Sequence, residues 1–177
     1  MTILKPAVAS ITSRLVNRSS ELRAEYLRQL EQDHGNRPER GKLSCGNLAH
    51  GFAACSGADK ESIRLMEAAN IAIVTAYNDM LSAHQPYANY PEKIKQALRE
   101  VGSTGQVAGG VPAMCDGVTQ GQNGMELSLL SRDLIAQCTA VALSHQMFDG
   151  VVSLGICDKI VPGLLMGVLS FGYLPAI

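Results

Sequence analysis

Cys157-Asp158-Lys159 puts a thiol, a carboxylate and an amine on consecutive residues. A thiolate there could hold iron, a carboxylate could hold a hard cation such as Mg²⁺, and the lysine could neutralise anions or, once carboxylated, supply a further oxygen. A second Cys-Asp pair, Cys115-Asp116, opens a run containing Gly117, Gly121 and Gly124-Met125, where glycines let the backbone approach a ligand closely. Asp116 could share one Mg²⁺ with Asp158. Asn78-Asp79 with His84 forms a third polar group: Asp79 is a candidate metal ligand, and Asn78 and His84 suit substrate oxygens. Arg132 could contact an anionic substrate.

Each of these residues also has an ordinary structural role. Cys157 can be a small buried hydrophobe and Asp158 a helix cap. Asp116-Gly117 can be a plain turn, Asn78 and Asp79 turn formers, and Arg132 half of a surface pair. Two similar Cys-Asp turns favour a metal over coincidence. Cys45, Cys55 and Cys138 lack hard-ligand neighbours and read as packing residues, and His50 and His145 as structural ones. No GxxxxGK[ST] loop is present, which argues against nucleotide binding.

Strands and helices must bring these groups together. Asp149 to Leu154 reads as a buried strand running into Cys157, and Pro162 suits the first turn of a helix through Leu164, Leu165, Met166, Val168 and Leu169. Ile71 to Tyr77 reads as another buried strand, followed by a polar loop to Tyr90 and a helix from Pro91 to Val101. Val107 to Met114 reads as a strand interrupted by Gly109, Gly110 and Pro112. The glycine loop from Cys115 to Gly124 then leads into a long helix ending near Met147. Phe171 to Ile177 starts what reads as a fourth strand. Ahead of these, Ser10 to Asp33 is a charged helical stretch with Leu15, Leu22, Tyr26 and Leu30 on one stripe, stopped by His34-Gly35-Asn36-Arg37-Pro38. Gly41 to Gly57 reads as a loop or short helix, and Asp59 as the cap of a helix through Asn70.

The alternation predicts an α/β fold, a mostly parallel sheet flanked by helices, with a helical and irregular extension over 1–58 and an α/β domain over 59–177. Ligands bind such sheets at the carboxyl ends of strands, where all three polar groups fall. A last strand ending on an apolar residue would leave an open edge, so the expectation is a truncated N-terminal domain.

The 177 residues are 46% hydrophobic and 18% charged, a globular composition, and 15 basic against 16 acidic residues make no electrostatic case for nucleic acid or an acidic membrane. No apolar run is long enough to span a bilayer, and the N-terminus lacks a signal-like pattern, so a cytoplasmic protein is expected. Five cysteines without disulfide spacing read as free thiols or ligands.

Cys115-Asp116-Gly117, Gly121, Gly124-Met125, Ser128-Leu129 and Ser131-Arg132-Asp133, followed by Cys157-Asp158-Lys159-Ile160, Pro162-Gly163 and Met166, resemble the dihydroxy-acid and sugar-acid dehydratase family. Thr75 to Tyr87 and Gly109 to Met114 are similar in particular to its phosphogluconate branch. The resemblance implies an iron–sulfur hydro-lyase of the Entner–Doudoroff pathway that converts 6-phospho-D-gluconate to 2-dehydro-3-deoxy-6-phosphogluconate and water. The runner-up is dehydration of another aldonate or dihydroxy acid, and the alternative of another class is a non-catalytic metal- or partner-binding fragment. It implies Cys157 as a cluster ligand, with Cys115 as an alternative, Asp116 and Asp158 as Mg²⁺ ligands, and Lys159 as the carboxylated lysine. Asn78 to His84 contains no cysteine, which fits a [4Fe–4S] cluster rather than [2Fe–2S]. The same resemblance implies a homodimer, and a catalytic base and a further cluster cysteine beyond residue 177.

Overall fold

The structure, a computed structural model, describes residues 5–35, 40–55 and 57–177. Met1 to Leu4 and the stop read at Asn36-Arg37-Pro38 lie outside the described residues. The chain divides into two compact units, residues 1–37 and 38–177. The first is built on one helix, α1 (Pro6–Gly35), longer at both ends than the charged stretch suggested. Leu15 and Leu22 remain exposed on it, and the Arg23 guanidinium stacks over the Tyr26 ring at 5.5 Å.

The second unit is the α/β body. It contains α2 (Cys45–Phe52), α3 (Gly57–Leu65), β1 (Asn70–Thr75), α4 (Tyr90–Glu100), β2 (Thr104–Gly110), α5 (Asp116–Thr119), α6 (Ser128–Leu143), β3 (Gly150–Leu154) and α7 (Ile160–Leu169). The strands form a parallel sheet in the order β2-β1-β3. Its central strand carries Ala72, Ile73 and Val74, all fully buried, as a parallel strand covered on both faces requires. Ala72, Val74 and Ala76 join Ile135, Leu143, Val151, Ile160 and Leu164 in the core beneath α6 and α7.

Ser44 starts α2 by accepting the Asn47 N–H at 3.2 Å, so the irregular stretch is in part a short capped helix. The helix expected to run from Asp59 to Asn70 stops at Leu65, because Met66 turns into the left-handed region at φ 58°. Asp59 lies inside its first turn, bonded to Arg99 rather than acting as a cap. The second strand begins three residues before the apolar run at Val107 and ends before Pro112. Gly105 packs against α4: a Cβ there would stand 2.7 Å from Leu98 Cδ1, so the leucine side chain would have to shift. The fourth strand is shorter than expected. Phe171 to Leu174 turn, and only the end of the segment runs parallel to β3, with Val151 N–H donating to Pro175 and Ile177 N–H to Val151.

At the amino edge of the sheet, buried Arg40 donates to the Ala68 carbonyl at 2.7 Å and the Met147 carbonyl at 3.2 Å, and pairs with Asp149. Asp149 in turn accepts the Asn70 N–H at 2.8 Å. This clamp leaves the opposite, carboxyl edge free to carry chemistry.

Candidate active site

Because the three strands are parallel, their carboxyl ends share one edge. β1 delivers Ala76, Asn78, Asp79 and His84; β2 delivers Cys115 and Asp116; β3 delivers Cys157, Asp158 and Lys159. Ladder bonds past the strand ends, Ala76 N–H to Leu154 at 2.9 Å and Val111 N–H to Thr75 at 2.9 Å, hold these turns side by side.

Lys159 anchors the acidic half of the site. Only 5% exposed, it pairs with Asp116 and reaches Asp158 Oδ1 at 3.1 Å. Ser128 Oγ donates to the other Asp116 oxygen at 2.9 Å. Hydrogen bonds from Lys159 and Ser128 hold the Asp116 carboxyl below the usual aspartate range, and the bond to Asp116 raises Lys159 above the usual lysine value. Beside this cluster opens a cavity of about 450 Å³ lined by Asp116, Ser128, Arg132, Asp158, Lys159 and Glu126. Arg132 is half-buried, and among the described residues its guanidinium has no ion-pair partner.

The sulfur half lies next to it. Cys157 adopts φ 82°, a left-handed conformation that costs a non-glycine residue on the order of 1–3 kcal/mol and is retained where the surroundings demand it. Burial raises the pKa of its thiol, and the nearby Cys115 and Asp158 add to the effect. His84 is fully buried; its Nδ1 lies 2.9 Å from the Ala76 carbonyl and its Nε2 3.7 Å from Cys157 Sγ. Its ring thus meets Cys157, whereas the expectation for His84 was substrate contact.

The remaining expected residues separate from these two groups. Asp79 is exposed and accepts the Tyr77 hydroxyl at 2.6 Å; no contact joins it to Asp116 or Asp158 among the described residues. Asn78 Oδ1 accepts the Leu81 N–H at 2.9 Å, while its Nδ2 is buried with no partner among the described residues. The sequence reading assigns Ser128 no role, although its spacing of four from Arg132 puts both on one helix face, the face lining the cavity.

The site sets carboxylate oxygens beside softer donors. Asp116 and Asp158 converge on one buried lysine, and a sulfur and an imidazole nitrogen stand next to them. Among the described residues no three His, Cys, Asp or Glu side chains meet closely enough to enclose an ion by themselves, so an ion held here would need further donors.

The sequence of this chain has a match among known protein families. Residues 68–177 match the family described as Dihydroxy-acid/6-phosphogluconate dehydratase N-terminal, and the chain belongs to that family. It is 62% identical over 174 residues to a phosphogluconate dehydratase of Escherichia coli (strain K12), covering 98% of this chain and 29% of the relative. It is 61% identical over 174 residues to the phosphogluconate dehydratase of Pseudomonas aeruginosa, with the same coverage. It is 60% identical over 177 residues to the one of Zymomonas mobilis, covering 100% of this chain and 29% of the relative. The chain therefore spans a little under a third of the length of these relatives.

Proposed function

We propose that this chain supplies the metal-binding part of a hydro-lyase that dehydrates 6-phospho-D-gluconate to 2-dehydro-3-deoxy-6-phospho-D-gluconate, the step implied for the Entner–Doudoroff pathway. The observation that carries the reading is Cys157 standing near the Asp116–Lys159–Asp158 cluster, beside a cavity lined by Arg132, which has no ion-pair partner among the described residues. Relatives at 60% identity and above bear the name phosphogluconate dehydratase, which supports the phosphorylated substrate over other aldonates and dihydroxy acids.

The residues fit the two groups such a reaction needs. Cys157 would hold an iron–sulfur cluster, a [4Fe–4S] cluster in preference to [2Fe–2S], with Cys115 as the alternative ligand. Asp116 and Asp158 would hold Mg²⁺, joined by Lys159 as its carbamate, which turns the one buried cation of the cluster into an oxygen ligand. When bound, these groups supply a Lewis acid for the departing C3 hydroxyl and a dication for the negative charge that develops as the C2 proton leaves.

The chain's own residues prepare the ground for that chemistry. Ser128 fixes the rotamer of Asp116 through one oxygen and so aims the other at Lys159. Arg132 offers its guanidinium to an anionic end of the substrate, where a bidentate bond fixes orientation as well as charge. Loss of the C2 proton and the C3 hydroxyl as water gives an enol that becomes the 2-oxo acid, and the proton acceptor is assigned to the part of the enzyme beyond these residues. The reading includes a cytoplasmic homodimer; among the described residues no helix is long and apolar enough to cross a membrane.

The test is turnover by the full-length protein. Consumption of 6-phosphogluconate to a product that an aldolase cleaves to pyruvate is expected. No such product, or faster turnover of a branched-chain dihydroxy acid, would sink the assignment. Cys157→Ser should lose iron and activity together, and unchanged iron content would remove Cys157 from the cluster.

A further inference from the structure

The polar group on β1 is the one the proposed chemistry has not used. His84 is 0% exposed, and both ring nitrogens have single, defined neighbours. Nδ1 sits 2.9 Å from the Ala76 carbonyl, which can only accept, so Nδ1 carries the proton. In the neutral ring Nε2 is then a bare lone pair, and it faces Cys157 Sγ at 3.7 Å. A thiol is a weak donor, so as a purely structural residue His84 would leave a buried acceptor poorly satisfied.

The same arrangement suits a metal ligand well. A ligating histidine donates its other N–H to a carbonyl or carboxylate, which fixes the tautomer and the ring orientation, and Ala76 plays that part here. Metal–sulfur and metal–nitrogen bonds of about 2.3 and 2.0–2.1 Å, meeting at a tetrahedral angle, put their donors roughly 3.6 Å apart. The observed separation is 3.7 Å. Two further details point the same way. Cys157 holds a left-handed backbone that turns the residue into this position. The sulfur of the Asn78 to Ala83 loop, Met80, is 76% exposed, so the buried donor that this strand end offers is the His84 imidazole.

We infer that His84 Nε2 is an iron ligand, binding alongside Cys157 Sγ, so that the cluster has a mixed cysteine–histidine shell. This rests on the proposal that Cys157 holds a cluster. On binding, the Cys157 proton leaves to solvent and the neutral imidazole binds without losing one. Nitrogen in place of sulfur also raises the reduction potential relative to an all-cysteine shell. Tyr87, whose ring meets His84 edge-on at 6.0 Å between centroids, backs the imidazole.

The experiment uses the full-length protein, reconstituted anaerobically with iron and sulfide and reduced to a paramagnetic state. Pulsed EPR is recorded on natural-abundance and [¹⁵N]histidine-labelled protein. The expected result is a strong nitrogen coupling that changes with the isotope and disappears in His84→Gln. Should that variant not fold, His84→Cys keeps a soft donor: it should retain iron, lose the nitrogen coupling and show a lower potential. Iron content that depends on Cys157, without histidine coupling in the wild type or with coupling that persists in either variant, leaves a hydrogen bond only and overturns the inference. Iron content indifferent to Cys157→Ser instead defeats the cluster assignment itself.

Discussion

Gly167→Ala offers a test of how tightly the site is mounted. α7 follows Lys159 directly, and Gly163 and Gly167, one turn apart, face α6. A Cβ at Gly167 would stand 2.5 Å from Thr139 Cβ, 2.7 Å from the Ala136 carbonyl oxygen and 2.9 Å from Thr139 Cγ2. None of these atoms is the free end of a flexible side chain. Thr139 is fully buried and its hydroxyl donates to the Ile135 carbonyl at 2.8 Å, so rotating it away costs that bond. Alanine favours a helix over glycine by about 1 kcal/mol. Overpacking a well-filled contact costs about 1–3 kcal/mol, and rigid neighbours place this case at the upper end. The net expectation is destabilisation by about 2 kcal/mol, which lowers the midpoint of thermal unfolding by about 4–8 °C in a domain of this size. Circular dichroism on matched wild-type and Gly167→Ala protein measures it. A variant as stable as the wild type, or more so, would refute the close-packing argument, because the helix preference would then have prevailed over the clash.

Arg132→Gln in the full-length enzyme should raise KM for 6-phosphogluconate about tenfold or more, the loss of one charge-assisted hydrogen bond, with a smaller change in kcat; steady-state kinetics checks it. For the Asp116–Lys159 pair the sign follows from the shifts: Asp116 is lowered, so its contribution is present above the unfolded pKa and disappears as pH falls through the folded one. Lys159 is raised, so its share is present below the unfolded pKa and disappears as pH rises through the folded one. Denaturant unfolding of the metal-free protein across pH should therefore show acid and alkaline losses that are both reduced in Asp116→Asn. Arg40→Met should destabilise by about 2 kcal/mol in urea titration, less than a fully buried pair would lose because Asp149 keeps 34% of its side chain in solvent.

The carboxyl-edge site was legible in the sequence because its residues fall just past apolar runs. Asp149 to Leu154 carries Val151, Val152 and Leu154, Ile71 to Thr75 is β-branched and aliphatic throughout, and each ends in a turn whose polar residues had to emerge on one edge of a parallel sheet. β2 was legible only in part, because Thr104-Gly105-Gln106 lacks the apolar signal. The Asp59 helix was read too long because the left-handed turn at Met66 has no glycine or proline to announce it. The glycine loop before the long helix contains α5 and a 3₁₀ turn at Asn123–Leu127, since short turns of this kind depend on caps and side-chain bonds such as Thr119 to Cys115 rather than on periodicity. His84 was singled out by type, but its pairing with Cys157 spans 73 residues and follows from strand order alone.

The left-handed backbone at Cys157 has a consequence for protein engineering. Glycine would occupy φ 82° without the Cβ penalty, so Cys157→Gly should make the polypeptide more stable by about 1 kcal/mol while removing the thiol. A library of this protein sorted for heat resistance alone would therefore drift away from sulfur at that position, and a design method scored on fold energy would do the same. Under the proposed cluster assignment, thermostable variants must be selected with iron retention as a second criterion, because here the most comfortable residue for the chain is one that cannot bind a metal.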